Sequence, residues 1–228
     1  ARAREAARRK SCQSNLKQWS LFFSCYANDY NGRWFQGYNS GYYDGEKDFW
    51  QGALRPYYKN DIKLRLCPSA MKPHRRPEDP WNKNPLGTTF EAWGMFSQDM
   101  YGWKKDDYGS YGMNDWVTNP SIVPTNWENC HWRSFNTPGA NQVPMFFDSL
   151  WFAIGPDNGE APPPGPDMAE VLTSGMSRVC IDRHDRAINC LFMDFSVKRV
   201  GLKTLWQLKW NRKSVGREPL WPEWMNGM

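Results

Sequence analysis

ARAREAARRKSCQSNLKQWSLFFSCYANDY, residues 1–30, opens the chain and decides how everything after it must pack. Its first turns hold four alanines and no Gly or Pro, so backbone propensity favours helix from the outset. Further along, Cys12, Leu16, Trp19, Phe23 and Tyr26 recur at alternating spacings of four and three, one apolar stripe on a helical face. The first ten residues have no such stripe, only Arg2, Arg4, Arg8, Arg9 and Lys10 against a single Glu5. The spacing therefore predicts a stem helix over 1–30 with a second half that packs on a globular body and a first half that projects and is basic. Thirty residues in helix make a rod of roughly 45 Å. No capping residue stands ahead of Ala1, which predicts that the helix begins upstream.

Composition bounds the remainder. A chain of 228 residues can bury a sizeable core and reads as one domain on a stem, with the stem at 1–30 and a head at 31–228. The formal net charge is +5, but residues 1–10 hold five basic side chains and one acidic, leaving only +1 for 11–228. The basicity belongs to the stem and excludes a broad cationic face for nucleic acid. A place next to anionic lipid would explain the cluster, each Lys or Arg there gaining about 1 kcal/mol. Fourteen Trp, ten Tyr and twelve Phe, with 17 Pro, 18 Gly and a mean hydropathy of −0.79, describe a loop-rich body pinned by aromatic anchors. No apolar run is long enough to cross a membrane. The six cysteines show no CxxC pair and no Cys/His spacing typical of zinc. The candidate disulfide is Cys180 with Cys190, flanking a predicted hairpin.

The rest of the chain is read from turns and periodicity. Asn31-Gly32 favours positive φ and ends the stem. Residues 36–45 read as an exposed loop, 46–59 as a short helix with Phe49, Trp50, Ala53, Leu54 and Tyr57 on its apolar side, and 63–68 as a brief extended segment. Long irregular stretches, about 69–107 and 118–142, are read as inserted loops. Strands are predicted at 109–117 (GSYGMNDWV), 143–152 (VPMFFDSLWF), 179–183 and 187–200. The proline-rich 157–167 is a loop.

Several of these stretches carry a family likeness. ARAREAARRKSCQSNLKQ resembles the stem helix of pseudopilin-like proteins with a prepilin-type cleavage and methylation sequence. The run from LRPYYKND to LCPS, the segment GSYGMND and the segment VPMFFDSLWF match further landmarks of that family. RHDRAINCLFMDFSVKRV resembles its His-x9-Asp-Gly signature with His184 and Asp194 in register, except that Phe195 stands where the family has Gly. The resemblance implies an α+β, pilin-like fold: a long N-terminal helix packed on an antiparallel sheet, with long irregular loops. It implies a non-enzymatic structural subunit of a pseudopilus, type IV pilus-like or other surface filament, such as the type II secretion pseudopilus. Such a subunit is exported, anchored in the inner membrane through a hydrophobic segment ahead of the Ala/Arg-rich run, and partnered by copies of itself or other pilins. Arg4, Arg8 and Arg9 would then lie near lipid head groups or pair with acidic groups on neighbours.

The same residues bear on other chemistries. His184, Asp185 and Asp194 offer a base and two carboxylates, but general acid–base catalysis needs such groups within hydrogen-bond reach, and the blander reading has His184 satisfying the hairpin turn and Asp194 capping the next one. No nucleophile elbow, P-loop or His-Glu-x-x-His motif occurs. Major pseudopilins hold calcium near the end of the chain. Asp106, Asp107 and Asp115, or Asp182, Asp185 and Asp194, offer oxygen ligands without a fixed spacing, so no cofactor is expected. The aromatic residues of 28–50 and 81–103 leave a rival reading open, a membrane-anchored surface module that binds polysaccharide.

Overall fold

The computed structural model describes residues 2–37, 48–74, 86–94, 99, 102, 104–166 and 174–228. The stem is helix α1, Arg2–Asp29, of 28 residues. Its buried side chains are the expected stripe of Cys12, Leu16, Trp19, Phe23 and Tyr26, joined by Ser20 and Ala27. Residues 2–10 contribute none. Asn31 and Gly32 both take positive φ, 54° and 77°, and the Gly32 amide donates back to the Ala27 carbonyl at 2.7 Å, which ends the helix.

Helix α2, Trp50–Tyr58, crosses α1 and stops at Lys59 in the left-handed region. It buries Trp50, Ala53, Leu54 and Tyr58, whereas Tyr57 is half-buried and donates its hydroxyl to Asp29 at 2.6 Å. The segment expected to be extended at 63–68 instead begins as a 3-10 turn, Ile62–Arg65, capped by Asp61 accepting from the Lys63 amide. The structure of 38–47, and with it most of the loop expected at 36–45, lies outside the described residues. So do 75–85 and 95–98 of the long loop.

Seven short strands follow: β1 (Trp93–Gly94), β2 (Tyr108–Gly109), β3 (Tyr111–Asn114), β4 (Pro144–Asp148), β5 (Ala153–Ile154), β6 (Ala187–Phe192) and β7 (Val197–Gly201). β1 and β2 pair with each other, and the main sheet has the order β5-β3-β4-β6-β7. All its pairings are antiparallel except β3 with β5. The expected α+β architecture is therefore present, with a mixed sheet edge. The stretch VPMFFDSLWF is not one strand. The chain turns at Ser149, whose hydroxyl donates to the Trp151 carbonyl at 2.5 Å, and re-enters as the parallel edge strand β5.

Alternate residues of β4 explain its unbroken apolar run. Phe146 faces the helices, its ring 5.0 Å from Trp19, 5.5 Å from Phe23 and 4.8 Å from Trp50. Phe147 faces the other way, 5.3 Å from Trp210. That second face is covered by irregular chain at the C-terminal end, where the Asn114 amide nitrogen donates to the Trp210 carbonyl at 2.8 Å. The sheet is thus sandwiched between α1 and an aromatic coil, so β4 and β6 are buried throughout.

The predicted strand at 179–183 is not formed. A 3-10 turn at Met176–Arg178 leads into bends, and the hairpin is β6 with β7. This removes the basis for a Cys180–Cys190 disulfide: the residue opposite Cys190 is Lys198, and all six cysteines are free.

Candidate functional site

Where α1 crosses the sheet, a polar cluster interrupts an otherwise apolar interface. Four separate segments supply it: Cys12 from α1, Cys67 from the turn after Ile62–Arg65, Asp148 from the last position of β4, and His184 from the turn ahead of β6. All four are buried, and one ligand-type atom from each lies within 4.8 Å of the others. Cys12 Sγ stands 3.6 Å from both carboxylate oxygens of Asp148. His184 Nε2 is 3.2 Å from Asp148 Oδ2 and 3.3 Å from Cys67 Sγ.

Each member is held from outside. The Tyr111 hydroxyl donates to Cys12 Sγ at 3.4 Å, and the Asn189 amide donates to Asp148 Oδ2 at 2.8 Å. His184 Nδ1 meets Glu5 Oε1 at 3.2 Å, which ties the basic half of α1 to the head. Arg183 is fully buried, with Nη1 3.3 Å from Asp148 Oδ1 and also donating to the Ser110 carbonyl, while Nε donates to the Thr89 carbonyl and Nη2 to the Thr88 and Ser149 carbonyls. A buried guanidinium with this full set of acceptors is pinned, and so is the carboxylate beside it.

The electrostatics follow from burial and mutual contact. Burial alone would push the Asp148 carboxyl up, but His184, Arg183 and the Asn189 amide outweigh it and hold it down at about 2. Burial would lower His184, but the charge and hydrogen bond of Asp148 raise it to about 10. Burial pushes the Cys12 thiol well up. Cys67 goes the other way: burial opposes it, yet hydrogen bonds from Cys12 and His184 and the charge of Arg183 lower it. The cluster thus pairs anionic and cationic groups inside a dry interface.

Of the residues singled out in the sequence, His184 reaches this cluster through its side chain, while its backbone closes the turn by donating to the Ala187 carbonyl at 2.9 Å. Asp194 does not join it. It sits exposed at the opposite end of β6, accepting from the Ser196 amide and hydroxyl at 3.0 and 2.6 Å. The two signature residues are therefore not brought into one cleft. Phe195 adopts φ +62°, in the left-handed region that glycine takes most readily.

Neither acidic set considered for calcium converges among the described residues. Asp107 is engaged by Arg55 and Arg65 at 3.1 and 2.8 Å, and burial raises Asp115 to about 7. Arg2, Arg4, Arg8 and Lys10 are exposed and Arg9 is half-buried. The four arginines, with Glu5, Ala6 and Asp185, line an open groove of about 720 Å³ beside the start of α1. Trp81 and Trp103 lie outside the described residues, and none of the other tryptophans is exposed.

Sequence spacing gave no hint of the four-residue cluster. Each member nevertheless lies in a stretch quoted above for its family likeness: RRKSCQ, LCPS, FFDS and RHDR. Among the described residues no helix is long and apolar enough to cross a membrane. A scan of family models finds no match to the chain, and searches of curated proteins and of solved structures likewise find none.

Proposed function

We propose that the protein is a non-enzymatic structural subunit of a pseudopilus or related surface filament, assembled through its N-terminal helix with copies of itself or other pilins. The observation that carries this reading is the division of α1. From Cys12 onward the helix is seated in the head, whereas residues 2–10 bury nothing and present four arginines and a lysine. A helix end that touches its own body only along one side, through Glu5 and Arg9, and presents small alanines between its other charges suits close packing beside other helices near an anionic membrane surface. The rival reading, a polysaccharide-binding module, has less support among the described residues, where every tryptophan is buried or half-buried.

Electron microscopy of the native protein recovered from the envelope of its cells tests the proposal. Regular filaments with α1 at the axis are the expected result. Isolated monomers in the membrane fraction under every condition would overturn it and pass attention to a sugar-binding screen.

A further inference from the structure

We infer that Cys12, Cys67, Asp148 and His184 form a closed structural site for a divalent zinc-type ion, which clamps the stem helix to the sheet. Nothing in the filament reading requires this, and the site stands or falls independently of assembly.

The geometry comes first. A tetrahedron built on metal bonds of about 2.0–2.3 Å has edges of roughly 3.3–3.8 Å. The donor separations here are 3.6 Å for Cys12 to Asp148, 3.3 Å for Cys67 to His184 and 3.2 Å for His184 to Asp148. All four donors lie within 4.8 Å of one another. Two sulfurs, an imidazole nitrogen and a carboxylate oxygen are a donor set that suits zinc, and four protein ligands leave no open position for a substrate.

The surroundings have the form that such a site needs. His184 presents Nε2 inward because Nδ1 is engaged by the Glu5 carboxylate at 3.2 Å, the carboxylate–histidine–metal arrangement that fixes a ligating ring. The Tyr111 hydroxyl donates to Cys12 Sγ, as a donor beside a thiolate should. Charge also balances. Two thiolates, one carboxylate and a divalent ion leave one negative charge, and the buried Arg183 guanidinium at 3.3 Å from Asp148 supplies the positive one. Binding displaces the thiol protons of Cys12 and Cys67 and any proton on His184 Nε2 to solvent. The Glu5 carboxylate that engages His184 is half-buried and forms part of the wall of the open groove, so the open groove comes nearest the site at Glu5.

The test starts with the unmodified chain, produced under reducing conditions. Elemental analysis should find one equivalent of zinc. Replacement by cobalt should give the strong visible bands of a tetrahedral ion together with thiolate-to-cobalt charge transfer. Stripping the metal with a chelator should lower the melting temperature, and returning zinc should restore it. Cys67→Ser should weaken the charge-transfer signal markedly, because one of two thiolates is lost, whereas a Cys180→Ser, Cys190→Ser double variant should keep it in full. Glu5→Gln, at a position that touches no metal, should keep the fold by circular dichroism and weaken zinc binding by roughly 10–100-fold. Three outcomes would overturn the inference: a reduced chain that takes up neither zinc nor tetrahedral cobalt, a Cys12–Cys67 disulfide in the native protein by mass spectrometry, or undiminished cobalt bands in Cys67→Ser. The cobalt spectrum of the unmodified chain decides the matter even if Cys67→Ser fails to fold.

Discussion

Phe195 shows how a side chain can sit where backbone geometry calls for glycine. Its φ of +62° closes the β6–β7 turn, and its amide donates to the Phe192 carbonyl at 2.9 Å. Left-handed backbone costs a residue with a Cβ about 1–2 kcal/mol. Here the ring offsets part of that through its contact with Phe135 at 6.3 Å, and Lys17 of α1 donates to the Phe195 carbonyl at 3.1 Å. Two substitutions separate these effects. Phe195→Ala and Phe195→Gly both lose the ring, but only glycine relieves the backbone. In thermal melts Phe195→Gly should be the more stable of the two by about 1 kcal/mol. Equal stability would mean that the turn does not carry the strain its dihedral implies. The departure from the His-x9-Asp-Gly pattern was visible in the sequence. That Phe195 itself takes positive φ was not, because the contacts around it come from residues 17 and 135.

At the scale of elements, α1 was legible because its stripe obeys the helical period: all five apolar positions read from spacing are buried. Trp19 is its anchor, with Trp50, Tyr58 and Phe146 at 5.2, 4.9 and 5.0 Å and its indole nitrogen donating to the Leu64 carbonyl at 2.7 Å. Trp19→Ala should cost roughly 3–5 kcal/mol, read as a lower urea midpoint. Leu21→Ala, on the face that is 61% exposed, should change stability by less than about 0.5 kcal/mol. Comparable losses would mean that the helix docks in another rotation. The strands were read less well, for a physical reason. With both faces of β4 and β6 covered, their apolar runs lose the alternation that marks strand limits, so VPMFFDSLWF gives no sign of the break at Ser149. The irregular layer over the second face is held by Trp side chains donating to distant carbonyls, such as Trp132 to Trp210 at 3.2 Å. Local periodicity carries no trace of such bonds.

For the whole molecule, the charge asymmetry read from composition persists in space, since the basic residues of 2–10 are largely exposed on one end. If that end faces anionic lipid, an Arg4→Glu, Arg8→Glu variant should bind phosphatidylglycerol vesicles at least about tenfold more weakly than the unmodified chain at low salt, while its melting temperature stays nearly unchanged. Equal partitioning would detach the basic cluster from any membrane role. The buried cluster escaped the sequence for the opposite reason: positions 12, 67, 148 and 184 share no period, and only the completed topology brings them together. That same separation has a consequence for how the chain matures. Cys12 meets Asp148 across 136 residues and Glu5 meets His184 across 179. During synthesis the first helix meets Trp34, Trp50 and Tyr58 early, but the sheet side of its stripe, where Trp19 and Phe23 pack on Phe146, stays uncovered until β4 is made. Contacts of such high order close slowly and leave sticky surface exposed meanwhile. The aromatic stripe is therefore the surface that the growing chain leaves open to wrong contacts until Phe146 arrives to cover it.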